Sequence, residues 1–183
     1  LRIQLCELDW NHPAAPRVRV LAERLVPSMI PGGIGDPDSI RIGGADDWEA
    51  PLTIEFVAAS AGLVRSGRGG LYLVPVFASG IDRTFASLPG RTTSELVGEL
   101  DATLSLRIRG PGVADVPQAV SLDDPSGASA VLRASRESDG SVRFERHIRV
   151  PAAVIRPEAY DRFARFCRAT AQMEERTVVF SPR

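Results

Sequence analysis

Hydrophobic and polar residues alternate with period two over two neighbouring stretches late in the chain. Ala130, Leu132 and Ala134 alternate with Val131, Arg133 and Ser135; Val142, Phe144, Arg146, Ile148 and Val150 alternate with Ser141, Arg143, Glu145, His147 and Arg149. Ser138-Asp139-Gly140 stands between them, so the pattern predicts a β-hairpin. After a Pro-rich joint the period lengthens. Tyr160, Phe163, Ala164, Cys167 and Ala171 form one stripe, widened by Phe166 and Thr170, which predicts an amphipathic helix from Pro157 to about Glu175. Pro157 suits the first helical position, and Glu158 the positive end of the helix dipole. Glu158 with Arg162 and Asp161 with Arg165 have the i, i+4 spacing of exposed ion pairs.

The rest of the chain is arranged around that unit. After Pro16, Val18, Leu21, Ala22 and Leu25 recur at helical spacing until Pro27, which ends a helix near Val26. Ser39 to Ile42 and Leu52 to Phe56 predict short strands, and Gly62 to Gly70 a flexible loop. Leu71 to Phe77 is apolar on both faces, the pattern of a covered strand, although Pro75 argues for an edge or a bulge. Ser79 to Gly98 is a long connection with one helical turn near Arg83 to Ala86. Ala102, Leu104, Leu106 and Ile108 alternate with Asp101, Thr103, Ser105, Arg107 and Arg109, a half-buried antiparallel strand stopped by Gly110-Pro111-Gly112. Val116 to Leu122 and Thr177 to Phe180 supply further strands. The expected fold is therefore α+β: an antiparallel sheet or two-layer sandwich of about six to eight short strands with two packed amphipathic helices. Residues 1–14 read as a leading segment, compatible with the end of an upstream element, and 15–183 as a single domain.

Composition narrows the class without naming a chemistry. With 183 residues, 44% of them hydrophobic, the chain can bury a core of ordinary size. Its formal charge of −1 lacks the basic excess that nucleic-acid binding requires. All 22 basic residues are Arg, scattered over polar faces rather than clustered. Cys6 and Cys167 have neither CxxC nor zinc-module spacing, and two cysteines make no disulfide framework. No apolar run approaches the roughly 20 residues that cross a bilayer. The chain opens at Leu1 without Met, as a piece of a longer protein would.

Candidate chemistry is sparse. A papain-like or transglutaminase-like site needs a thiolate, a His to take its proton and an acid to orient the His; Cys6, His147 and Asp161 stand in that order. Yet no helix start follows Cys6, and Asp161 has an Arg partner in helical spacing. Cys167 with His147 is the other thiol pair, but Cys167 falls on the apolar stripe and His147 on the polar face of its strand. His12 precedes Pro13 with no evident partner. Asp36, Asp38, Asp46, Asp47 and Glu49, and separately Asp123 and Asp124, offer oxygens without EF-hand spacing, so they read as solvated turn residues. Gly32-Gly33-Ile34-Gly35 and Gly67-Arg68-Gly69-Gly70 match no phosphate-binding loop and read as turns. Trp10 and Trp48 would make a carbohydrate or peptide platform only if exposed together; packing roles are expected. No catalytic, cofactor-binding or metal-ligating residue is assigned, and no cofactor is expected.

In chain order, a helix, "PGGIGD", "APLTIEF", a Gly-Arg loop, "GLYLVPVF", "SLRI", "SLDDPSGAS", the hairpin and "VPAAVIRPEAYDRFARFCRA" follow one another. This order resembles the C-terminal β-rich region of large bacterial proteins in which a β-rich domain of unknown function precedes a transglutaminase-like core. The most specific part is Arg149-Val150-Pro151, then Ile155-Arg156-Pro157-Glu158-Ala159-Tyr160 and a helix with Phe163 and Phe166. Residues 1 to 13 depart from the arrangement. In such proteins the Cys-His-Asp machinery lies in the upstream core. The resemblance thus implies a non-enzymatic accessory domain that supports the core, or its substrate and partner binding, with that core as its partner. It implies a periplasmic or cell-envelope location if the full-length protein carries an export signal, and a cytoplasmic one otherwise. An independent peptide- or glycan-binding β-sandwich module is the alternative.

Overall fold

A computed structural model describes residues 26, 30, 33–44, 47, 49–60, 64–67, 70–73, 79–86, 91–109, 113–176 and 179–180. The chain divides into two units, Leu1–Val64 and Arg65–Arg183. In the first, β1 (Gly33–Gly35) pairs antiparallel with β4 (Ala58–Ser60), and β2 (Arg41–Gly43) with β3 (Thr53–Glu55), placing Ile42 opposite Ile54. The Gly-rich stretch expected to turn at residues 32–35 is thus a strand over 33–35. A Cβ on Gly33 would lie 2.9 Å from both the Cβ and the carbonyl oxygen of Ile30, so glycine permits this close approach. The helix predicted from residue 15 lies outside the described residues except for Val26, which is helical and buried.

The second unit is built on the predicted hairpin. Strands β11 (Ser129–Arg136) and β12 (Val142–Val150) pair antiparallel, with Ala130 opposite Ile148 and Leu132 opposite Arg146. On the inner face Ala130, Leu132, Val142, Ile148 and Val150 are buried. Gly140 closes the turn at φ 78°, a left-handed conformation that side-chain-bearing residues rarely adopt. Strand β10 (Val120–Asp123) flanks β11, and β8 (Leu100–Ile108) flanks β12, giving a four-stranded antiparallel sheet of order β10-β11-β12-β8. The strand expected over 116–122 is shorter and displaced, beginning at Val120.

The β8–β12 ladder continues beyond its apparent end. Val150 faces Leu100; after Pro151-Ala152 on one side and Gly98-Glu99 on the other, Ala153 of β13 (Ala153–Ile155) faces Val97 of β7 (Glu95–Val97). The interruption has a cause in Pro151, which has no N–H to donate to the ladder. Across the break the facing of the side chains inverts. Even-numbered Ile148 and Val150 point inward in β12, whereas in the ribbon odd-numbered Val97 and Ile155 are buried and Leu96 and Val154 point out. The predicted long connection over 79–98 thus contains β7 and a short helix, α1 (Ile81–Phe85).

Helix α2 (Pro157–Glu174) packs on β10, β11 and β13 as its stripe predicts. Tyr160, Phe163, Ala164, Phe166, Cys167, Thr170 and Met173 are buried. Rings of Phe85 and Phe163 lie 6.3 Å apart, as do those of Phe163 and Phe166, and Tyr160 Oη donates to the Phe85 carbonyl at 3.3 Å. At roughly 1.5–3 kcal/mol per large buried side chain, these contacts outweigh any surface ion pair on the helix. The expected i, i+4 pairs do not form among the described residues. Arg162 instead reaches Asp124 at 3.2 Å, because that carboxylate is buried in the β10–β11 turn and needs a cation.

A second sheet has the order β5 (Val64–Gly67), β6 (Gly70–Leu73), β14 (Val179–Phe180), β9 (Val113–Asp115). The stretch expected to loop between residues 62 and 70 therefore contains β5. That strand lies at a sheet edge, where Arg65 and Ser66 are compatible with pairing without an apolar pattern. β6 begins the covered strand expected from Leu71, whose Pro75 falls outside the described residues. The fold is α+β with antiparallel sheets as predicted, divided into more and shorter strands.

Candidate functional site

The ribbon and the head of α2 together make the most distinctive surface of the second unit. Leu96 and Val154 are direct cross-strand partners, and they are 80% and 63% exposed. Their neighbours Val97 and Ile155 bury on the opposite face, so the ribbon is apolar on both sides. Val154 also borders a cleft of about 250 Å³ whose lining includes the apolar Ala153, Ile155, Ala159 and Phe163 and the polar Asp124, Ser126, Arg156, Glu158 and Arg162.

Local chemistry fixes each polar wall. Asp124 Oδ1 accepts from the Ser126 N–H at 2.9 Å, while its backbone N–H bonds to the Ala128 carbonyl and its carbonyl accepts from Gly127 N–H, both at 2.8 Å. Oδ2 receives the Arg162 guanidinium, so the one buried carboxylate of the cleft is neutralised. The Ser126 hydroxyl oxygen is buried without a hydrogen-bond partner among the described residues. Arg156 precedes Pro157 and caps the helix with extended backbone and no side-chain cap bond, leaving its side chain at the rim. The cleft has room for one side chain of a partner, and its lining combines apolar side chains with both charge signs.

A second polar cluster is structural. Arg146 faces inward from β12 and forms a buried ion pair with Glu174 at the end of α2. Glu174 also accepts from the Ser79 N–H at 3.0 Å and from its hydroxyl at 2.7 Å. Burial lowers the pKa of Arg146 from its ordinary value, and the Glu174 carboxylate opposes that shift. The alternation of β12 places Arg146 among inward residues, and Glu174 continues the helical stripe from Cys167 and Thr170. Periodicity thus gives each position an inward facing, whereas their meeting depends on how α2 ends beside β12.

The thiol candidates are kept apart. Cys167 is fully buried, and its pKa is pushed up to about 12 by burial first, then by the nearby carboxylates of Asp124 and Asp82. His147 lies on the outer face of the sheet with Nε2 2.8 Å from Asp101 Oδ1, so the sheet separates it from Cys167. Asp161 is exposed on α2. Cys6, Trp10, His12, Asp46 and Trp48 lie outside the described residues. Asp36 and Asp47 bind backbone N–H groups of their own turns, and no cluster of metal-ligating side chains occurs among the described residues. Asp123 is exposed. No described helix is long and apolar enough to span a membrane. Comparison with known protein families, curated proteins and solved structures finds no match.

Proposed function

We propose that this chain is a non-catalytic accessory domain that docks another polypeptide through the β7–β13 ribbon and the adjoining cleft. The observation that carries the reading is the exposed Leu96–Val154 pair on a ribbon whose other face is already buried. Leaving two large apolar side chains together in water is unfavourable, and burial against a partner removes that cost. The cleft beside Val154 then takes a side chain of the partner, with Arg156 and Glu158 at the polar rim. The transglutaminase-like core named by the sequence resemblance is the first partner to test.

The test is a calorimetric titration of this chain with a transglutaminase-like core domain, for wild type and for the double variant Leu96→Glu/Val154→Glu. Binding weakened by about tenfold or more in the variant is expected, because both anchors are lost at the centre of the contact. Stability should change little, since both side chains are exposed. Equal affinity of the two proteins would remove the ribbon from the interface. Affinity for free peptides at this surface, with none for the core domain, would instead favour an independent peptide-binding module.

A further inference from the structure

The four-stranded sheet ends in two unlike edges. β10 is short, four residues, whereas β8 runs unbroken for nine residues, and no strand pairs with its outer edge among the described residues. β8 contains no proline and its ladder with β12 has no bulge, so two of the devices that blunt an open edge are missing, and its only charges are Asp101 and Arg107. Its inward residues Leu100, Ala102, Leu104, Leu106 and Ile108 are all only half-buried, while their β12 neighbours Val142, Ile148 and Val150 are fully buried. An apolar row left half-covered along an unpaired edge calls for one more strand.

We infer that this strand is β8 of a second copy of the chain. Placed antiparallel about Leu104, the sequence is complementary to itself. Leu104 meets Leu104 of the copy, Ala102 meets Leu106, and Leu100 meets Ile108, extending the apolar row across the joint. On the outer face Thr103 meets Ser105, and Asp101 meets Arg107. The two-fold relation makes each unlike pair twice, so two unlike-charge pairs form. Asp101 and Arg107 have side chains 57% and 48% exposed, so each can accept a further partner beside His147 and Asp139. A shift of two residues in either direction shortens the ladder and parts Asp101 from Arg107; in one of the two shifted registers Asp101 meets Arg109 instead, which lies just beyond the strand. In the matched register all nine residues pair and two four-stranded sheets become one of eight. Because α2 packs on the β10–β11 side of the sheet, the helices of the two copies stand away from the joint.

This inference is independent of the docking surface on the ribbon. It is tested on the full chain by sedimentation velocity over a concentration series, with hydrogen exchange on the same samples. A dimer is expected, with β8 amides gaining protection as concentration rises. Asp101→Arg or Arg107→Asp alone sets like charges opposite each other twice per dimer and should raise the dissociation constant by about tenfold. The charge-swapped double variant Asp101→Arg/Arg107→Asp should restore it, a rescue that simple damage to the outer-face network would not give. A monomer at every concentration up to the solubility limit would overturn the inference. So would a dimer whose β8 amides exchange as fast as in dilute solution, which needs no variant to fold.

Discussion

Asp139 sets the hairpin turn through ordinary hydrogen bonds made unusually favourable by their number. Its Oδ1 accepts from the Ser141 hydroxyl at 2.6 Å and the Ser141 N–H at 3.1 Å, and Oδ2 receives Arg107 at 2.9 Å. These contacts lower its pKa from 3.8 to about 2, with the Ser141 hydroxyl the largest cause. A carboxyl whose folded pKa lies below its unfolded value stabilises the fold above the unfolded pKa, and that contribution disappears as pH falls through the folded one. The stability difference between wild type and Asp139→Asn should therefore shrink as pH falls from about 4 to about 2. Urea midpoints of both proteins across that range measure it; a constant difference would show that the turn does not depend on the ionised carboxylate. Asp139 also relieves Arg107 and Arg143, like charges directly opposite each other on β8 and β12, with Glu137 holding Arg143 at 3.1 Å. The turn residues were legible in the sequence because Ser-Asp-Gly is turn chemistry. The Arg107 contact was not, since it required the register of β8 against β12.

The hairpin and α2 are the elements that periodicity described best, because their apolar faces are buried by one another. Phe163 sits where α1, α2 and the sheet meet, touching Phe85 and Phe166 and fully buried. Replacing it with Ala should cost about 3–5 kcal/mol in denaturant unfolding. A loss below about 1 kcal/mol would mean that the surrounding core is not formed as described. The ribbon β7–β13 was not legible: three-residue strands leave too short a pattern for period two to register, and their pairing is inherited from the β8–β12 ladder. The Gly-rich strand at residues 33–35 was hidden for the opposite reason, since the residue that suggests a turn there serves a close backbone approach. Arg162 was misread because intrahelical spacing says nothing of Asp124, a buried acid thirty-eight positions earlier that competes for it.

At the scale of the second unit, polar and apolar groups among the described residues are sorted to opposite sides of the four-stranded sheet. The outer face of the four-stranded sheet carries His147 and alternating charges in water, whereas the fully buried thiol of Cys167 lies on α2, which packs against the sheet. A catalytic role for Cys167 would need the reverse, an accessible thiolate within reach of a base. Residue chemistry in the sequence already placed Cys167 on an apolar face. The exposed pair of the proposed docking surface could not be read there, because exposure of Leu96 and Val154 follows from the inversion of side-chain facing at Pro151. The most direct test of the non-catalytic reading is the labelling rate of Cys167 by a thiol reagent at neutral pH, measured in a Cys6→Ala variant so that one thiol remains. With the thiol buried and its pKa near 12, labelling should be far slower than that of free cysteine and should accelerate with denaturant as the second unit opens. Labelling faster than free cysteine, with a rate that titrates well below the reference value of about 8.5, would contradict it and make Cys167 a reactive centre.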